Sequence, residues 1–520
     1  MKRMLLVMAV LLGTMAWAYP QAPYRVHTSP KLPARDALER MQLRIAWNTR
    51  VKVVGQRDGL YSVQLLPGQP NMQMVVQTFE GAIYLLDAET GEMIWKTKVG
   101  FPYWALQPVG YNADYIFAVR RNILHVLSRS TGAQLLYTVH PRTQDVTFGA
   151  ELLSTPSAAP IADDEDLLYM IMGNRVTVLE IPDYMTWNKN KLARETPKKE
   201  PGKEKDKDDK SNGKGAKELY KEEPLDLVPP GSLDSPQPEY YWGYLLGNEA
   251  SEFPPLVHGD QVSLLTTAGN LISVPRFGKF PRTGRENFEF KTTGKVAAEA
   301  GQFAKIAYVG SLDFNLYAIN MSGGQLVWRY VSGAPIMQKP EVNDRDVFVV
   351  ADRAGMRRVD RMTGREVWNN RDASRFLAAN NSFVYAFDKL RKFYVLDHRR
   401  GTTLAKFDLS DWAIPVPNDM TDRIYLAAND GQILCLRHRD HVKPLVMKTL
   451  EVKKDIKPMD KDKKKDDEKK DDEKKDDKKD DKKDAQGAVK FREFYAEWRA
   501  VHDVSLAARP AAITLHRADR

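Results

Sequence analysis

Reactive motifs are scarce in this sequence. It holds one cysteine, Cys435, so no disulfide can form within the chain. Cys435 lies in the apolar run Ile433, Leu434, Leu436 and reads as a small core residue rather than a nucleophile. There is no His-Glu-x-x-His pair, no Gly-x-Ser-x-Gly elbow, no phosphate-binding Gly-Lys-Ser/Thr loop and no dinucleotide fingerprint. Long apolar runs are missing too: nothing reaches the roughly 20 residues needed to span a bilayer, so no membrane span is expected. Charge of one sign is also lacking. The net charge is +9, but Lys and Arg are spread along the chain and the densest Lys runs alternate with Asp and Glu. Such a diffuse excess does not make a phosphate-tracking groove, and no nucleic-acid partner is expected. Two weak metal candidates remain. His438-Arg439-Asp440-His441 follows a strand and is expected to be an exposed polar turn, and Asp163-Asp164-Glu165-Asp166 is expected to be an inter-strand acidic loop.

What is present is a leader pattern, a repeat and two charged stretches. Lys2 and Arg3, the apolar stretch Leu5 to Met15 and the small-x-small pattern Ala16-Trp17-Ala18 read as a signal peptide over residues 1–18, cleaved before Tyr19. Export to a bacterial periplasm or cell envelope is expected. With no cysteine beside the cleavage point, no lipid anchor is expected. Residues 19–44, Pro-rich between Pro20 and Pro33, are expected to be an extended segment.

The repeat decides the fold. Ile83 to Asp87 is followed by Thr90, Gly91 and Trp95; Leu316 to Asn320 by Gly324 and Trp328; Met356 to Asp360 by Thr363, Gly364 and Trp368. In each, Gly stands four and Trp eight residues after the Asp or Asn. Degenerate copies are Ile123 to Ser128 with Thr131, Gly132 and Leu136, and Phe393 to Asp397 with Gly401. Val176 to Glu180, Leu271 to Pro275 and Ile433 to Arg437 keep only the strand. A second strand precedes each copy, for example Met74 to Thr78 and Asp346 to Ala351, with turn residues such as Glu80-Gly81 and Asp430-Gly431 between. Eight units at a period near 40 residues predict an all-β, eight-bladed propeller of four-stranded antiparallel blades over residues 45–450. One such sheet cannot cover its own two faces; stacking around a ring does so and leaves no broad free edge. Asp87 and its equivalents are read as turn caps, the glycines as positive-φ positions, and the tryptophans as surfaces that pack on the neighbouring blade.

Two stretches fall outside the repeat. Residues 185–236, centred on the Lys/Glu/Asp/Gly/Pro-rich segment Lys189 to Glu223, are expected to be a disordered insertion. Residues 451–486 contain an unbroken run of 12 Lys and 13 Asp or Glu between Asp460 and Asp484, expected to be a solvated linker. In the tail, residues 487–520, Phe491, Phe494, Tyr495, Trp498, Val501 and Val504 recur at spacings that fit a short amphipathic C-terminal helix.

The pattern Tyr-x-x-Asp-x-x-Thr-Gly-x-x-x-Trp, complete from Tyr84 to Trp95, resembles the repeat of the quinoprotein (pyrroloquinoline-quinone) dehydrogenase propellers. In size the chain is closer to the propeller lipoproteins of the bacterial outer-membrane β-barrel assembly machinery. The resemblance implies a tryptophan that docks on the adjacent blade and, for the second group, a non-catalytic scaffold with cell-envelope protein partners. It differs from the quinone enzymes in lacking a pair of adjacent cysteines, and from the lipoproteins in lacking the lipobox cysteine. The expectation is a monomeric, non-catalytic exported scaffold with no cofactor and no metal. The alternative is a quinone-dependent dehydrogenase-like enzyme or a propeller that binds a polysaccharide or other ligand.

Overall fold

The computed structural model describes residues 29–54, 57–68, 70–188, 234–277 and 286–449. The leader, most of the charged insertion, the Lys/Asp/Glu run and the C-terminal tail therefore lie outside the described residues.

The described residues form eight four-stranded antiparallel sheets, each a meander from an inner to an outer strand. Blade 1 comprises Leu60–Leu66, Gln73–Thr78, Ala82–Asp87 and Met93–Lys98. Blade 2 has Gly110–Tyr111, Tyr115–Arg120, Ile123–Ser128 and a short outer strand, Ala150–Glu151. Blade 3 is Ile161–Ala162, Leu167–Met172, Arg175–Glu180 and Glu239–Leu245. Blade 4 is Leu256–His258, Gln261–Leu265, Asn270–Pro275 and Phe288–Lys291. Blade 5 runs through Gly301–Phe303, Ile306–Gly310, Asn315–Asn320 and Gln325–Val331. Blade 6 has Glu341–Val342, Asp346–Ala351, Gly355–Asp360 and Glu366–Asn370. Blade 7 has Arg375–Ala379, Phe383–Phe387, Lys392–Asp397 and Thr403–Asp408. Blade 8 joins the two ends of the domain: Ile414–Val416, Ile424–Ala427 and Gln432–His438 take their outer strand, Leu43–Arg50, from the N-terminal side.

Burial follows this layout. Middle strands are apolar on both faces because both faces meet neighbours: Leu167–Met172 is buried throughout. Outer strands alternate, with one side in water, as in Thr403–Asp408. The apolar residues fall into eight clusters, one in each gap between blades, including the gap between blades 8 and 1, where Trp47, Tyr425 and Cys435 meet Met74, Tyr84 and Leu86. That gap also carries an ion pair: fully buried Arg423 of blade 8 donates from Nε to Glu89 of blade 1 at 2.9 Å. The ring is closed by packing as well as by strand pairing.

Three details depart from expectation. The segment before the propeller is not extended to its end, since Arg35–Arg40 is a helix that buries Leu38 against blades 7 and 8. Blade 2 carries an extra hairpin, Tyr137–Val139 with Val146–Phe148, ahead of its short outer strand. The insertion expected over 185–236 has ordered edges: residues 184–188 are helical, and buried Ser235 bonds the Tyr137 backbone in both directions.

Candidate functional site

Every repeat residue singled out in the sequence lies at a turn or a gap between blades. Asp87 Oδ1 accepts the N–H groups of Glu89 and Thr90 at 2.8 and 2.9 Å. Asp360 and Asp397 cap their own turns in the same way, Asn320 accepts from Ser322, and Ser128 accepts a longer bond from Thr131. Thr363 closes its turn on Asp360 Oδ1 at 2.7 Å. One step beyond these capping positions, the backbone carbonyls of Arg129, Arg361 and His398 accept the indole N–H of Trp95, Trp328 and Trp368 from the preceding blade at 2.8–3.0 Å. The glycine of each turn lies flat on the same ring. At Gly364 (φ 69°) a Cβ would stand 2.6 Å from Trp328, and at Gly401 (φ 69°) 2.4 Å from Trp368. Gly91, Gly132 and Gly324 take the same place against Trp47, Trp95 and Phe288.

Sequence reasoning missed two further docking tryptophans and a second capping series. Trp47 donates to Ala88 and Trp242 to Arg276, each across a gap. Trp47 belongs to the closing strand, far in sequence from its own blade, and Trp242 is separated from Glu180 by the insertion. The second series lies between the first and second strands of blades 2, 3, 6, 7 and 8, where Asn112, Asp163, Asn343, Asn380 and Asn418 are buried and cap backbone N–H groups with Oδ1. Asp163 also pairs with Arg276 of blade 4 at 2.6 Å, both side chains only 3% exposed. The acidic loop is thus an inter-blade rivet.

The His pair is not an exposed turn. His438 is buried and bonds Gln42, its ring 4.6 Å from that of His441, and His441 bonds Asp422 at 2.7 Å. Burial pulls the His438 imidazole below its ordinary value, and the neighbouring His441 adds to this. Among the described residues no group of three His, Cys, Asp or Glu is placed to hold a metal.

A meander puts the first and third turns of all blades on one face, and the second turns with the blade-to-blade connections on the other. Hydrogen bonds tie these sets together, for example Tyr103 N–H to Phe79 O on the second face and Arg361 N–H to Arg345 O on the first. The first face carries the segment after the last strand. Its Thr449 binds Asp344 of blade 6 through N–H and hydroxyl at 2.7 and 2.8 Å, and Lys448 pairs with Asp419 at 2.6 Å. Tyr111 of blade 2 feels the charges of both Lys339 on the chain entering blade 6 and Asp419 of blade 8, so these groups face one another across the ring axis. Enclosure by the ring pushes the Glu341 carboxyl up to about 7, Lys339 opposing and Asp419 adding to the rise. The same enclosure lowers Lys339, but Glu341, Glu299 and Asp419 outweigh it and hold the ammonium up to about 12. Lys339 is open to solvent, so charges of both signs stand close together beside the inner strands.

The second face also carries exposed apolar side chains. Its loops expose Phe101, Tyr103, Phe314, Val331, Met337 and Leu390, between 44 and 70% open. Phe101 and Trp104 rings lie 4.9 Å apart with Arg121 over Trp104, and Tyr103 adopts φ 60°, a conformation unfavourable for a side-chain-bearing residue. Between blades 6, 7 and 8 this face opens into a cleft of about 720 Å³.

Fold and repeat together define the class: an eight-bladed, all-β propeller with quinoprotein-type repeats. In fold the chain is BamB-like. Residues 280–389 match the family described as "Outer membrane protein assembly factor BamB". Among solved structures, BamB from Moraxella catarrhalis is similar with a TM-score of 0.51 at 14% identity, over 77% of this chain and 98% of that one. The computationally designed Ika8 protein is similar at 12% identity and a TM-score of 0.47, over 74% and 97%. No curated protein matches the sequence.

The described residues do not fit a quinone held beside a metal ion. Cys435, the sole cysteine, is fully buried between blades 8 and 1, and burial pushes its thiol far above the ordinary range. The acidic groups at the axis face the cations Lys339 and Lys448.

Proposed function

We propose that this chain is a non-catalytic scaffold of the bacterial cell envelope that binds other envelope proteins during outer-membrane protein assembly. The carrying observation is the second face, where apolar and aromatic side chains from blades 1, 5 and 7 and the blade 5–6 connection stand in water and a polar cleft opens between blades 6, 7 and 8. Exposed apolar and aromatic side chains interspersed with arginine have the composition of a protein interface. The fold likeness to BamB supports the assembly role. The protein is exported by its leader and acts as a monomer. N-terminal sequencing of the mature protein starting at Tyr19, and sedimentation at the monomer mass, test these two parts.

The test of function is site-specific photo-crosslinking in intact envelopes. A photoreactive residue at Phe101 or Phe314 is expected to form adducts with subunits of the outer-membrane assembly machinery, and one at Met362 on the first face is not. Adducts confined to Met362, or none at any position, refute the reading.

A further inference from the structure

The cleft between blades 6, 7 and 8 carries more cations than its own structure uses. Its walls are the second turns of blades 6 and 7, the connection between these blades and the entry to blade 8 at Ala413 and Pro415. Five cationic side chains line it: Arg353, Arg371, Arg375, Lys389 and Arg391. Three carboxylates oppose them, Asp352, Asp372 and Asp388. Two of the three are engaged. Asp352 lies 3.6 Å from Arg353 and 3.7 Å from Lys389, and Asp388 Oδ1 caps the turn by accepting the N–H groups of Leu390 and Lys392 at 2.7 and 2.8 Å. Arg371, Arg375 and Arg391 make no side-chain hydrogen bond or ion pair with any described residue, and all three are exposed. They come from the blade 6–7 connection, the start of the innermost strand of blade 7 and the second turn of that blade. No fold requirement explains three guanidinium groups converging from separate elements on one hollow.

The rims are apolar. Met337, 53% exposed, and Leu390, 70% exposed, line the same hollow. Arg353 and Arg391 both sit at positive φ, 57° and 61°, a backbone state that side-chain-bearing residues adopt at some cost. An unpaired guanidinium presents a planar fork that matches a carboxylate with two parallel hydrogen bonds. Guanidiniums next to exposed Leu and Met suit a chain in which acidic and apolar residues alternate. A dense polyanion suits the cleft less well, because Asp352 and Asp372 stand in its wall and the rims would stay wet.

We propose that this cleft binds an extended acidic segment of a partner protein, its carboxylates on Arg371, Arg375 and Arg391 and its apolar side chains on Met337 and Leu390. The proposal rests on the scaffold reading and adds to it the place and chemistry of one contact.

The experiment uses the full mature chain and a fluorescein-labelled peptide, Glu-Leu-Asp-Glu-Leu-Asp, read by fluorescence anisotropy. Binding is expected, and it is expected to weaken as salt rises, since screening acts over about 10 Å at 0.1 M. The variant Arg371→Glu/Arg391→Glu is expected to lose at least about tenfold in affinity, because like charges then face the ligand. Both arginines are exposed, so the variant is expected to keep the parent's thermal unfolding profile. The variant Arg371→Lys/Arg391→Lys keeps the charge but not the forks and is expected to lose less. Equal binding of the neutral peptide Gln-Leu-Asn-Gln-Leu-Asn, or unchanged binding to the charge-reversed protein, overturns the proposal. So does displacement of the peptide by tripolyphosphate at concentrations far below those at which the peptide binds, which would mark a phosphate site. If peptide binding fails while the Phe101 and Phe314 crosslinks persist, the cleft proposal falls and the scaffold reading stands. If the peptide binds and no crosslinks form, the reverse holds.

Discussion

Acidifying the medium from about pH 7 to about pH 5 tests the interior of blade 2. His125 lies on Ile123–Ser128 and is only 3% exposed. Neither ring nitrogen has a well-formed hydrogen bond. Burial pulls its imidazole from 6.5 down to about 4; the nearby Gln134 amide offsets part of this, and the Arg120 charge adds to it. Unfolded chains protonate this histidine near pH 6.5, whereas the folded ring stays neutral until about pH 4. The contribution is therefore fully present above the unfolded value and is lost as pH falls towards the folded one. Linkage puts the loss at about 2 kcal/mol between about pH 7 and pH 5, rising to about 3 kcal/mol below about pH 4. The assay is urea unfolding of the protein and of His125→Leu at both pH values. The parent is expected to lose about 2 kcal/mol more than the variant over this interval, with carboxylate effects common to both cancelling in the comparison. Equal losses within about 0.5 kcal/mol would refute the argument.

Four further outcomes follow from the inter-blade contacts and the axis. Gly364→Ala places a methyl 2.6 Å from the Trp328 ring at φ 69° and is expected to cost about 2 kcal/mol or more, read as a lower urea midpoint. Trp368→Phe removes the indole donor to His398 O at 2.9 Å and is expected to cost about 0.5–1.5 kcal/mol, since the carbonyl keeps the Arg358 guanidinium at 2.6 Å. Arg276→Met leaves Asp163 buried without its cation and is expected to cost about 3–5 kcal/mol, whereas the double change Asp163→Asn with Arg276→Met recovers part of the loss. Glu341 titrates in the folded ring near 7, above its ordinary 4.5, so its contribution is present below the unfolded value and lost as pH rises through about 7. Glu341→Gln is expected to resist urea better than the parent at about pH 8, with the gap closing towards about pH 4.5.

The propeller was legible because its signal is local and repeated. Asp360, Gly364 and Trp368 lie within nine residues of one another, and their spacing is set by one turn and the start of one strand. The second strand expected at Asp346–Ala351 is observed with those bounds, because a run buried on both faces leaves little choice of ends. What escaped was non-local. Trp47 belongs to a blade whose other strands lie nearly 400 residues away, so no offset within that blade could reveal it. The cap residues Asn343, Asn380 and Asn418 stand between strands where any polar residue would suit a turn, and only the coordinates show their shared burial. The His pair was misread because Gln42, which bonds His438, and Asp422, which bonds His441, come from other parts of the chain. The cleft had no signal at all: Arg371, Arg375 and Arg391 come from the chain entering blade 7, its first strand and its second turn, which meet only once that blade is folded.

The outer strand of blade 8 precedes its three sheet partners by about 380 residues. At a synthesis rate of about 5–20 residues per second it waits roughly 20 to 80 s before Gln432–His438 exists to receive it. During that interval Leu43–Arg50 is an orphan ribbon with an open hydrogen-bonding flank, able to pair with any other nascent strand. The last event in maturation is then the capture of the earliest-made strand by the latest, a step that a single proline at Ile433, opposite Thr49 on the seam side of its strand, would block by removing one N–H from the seam.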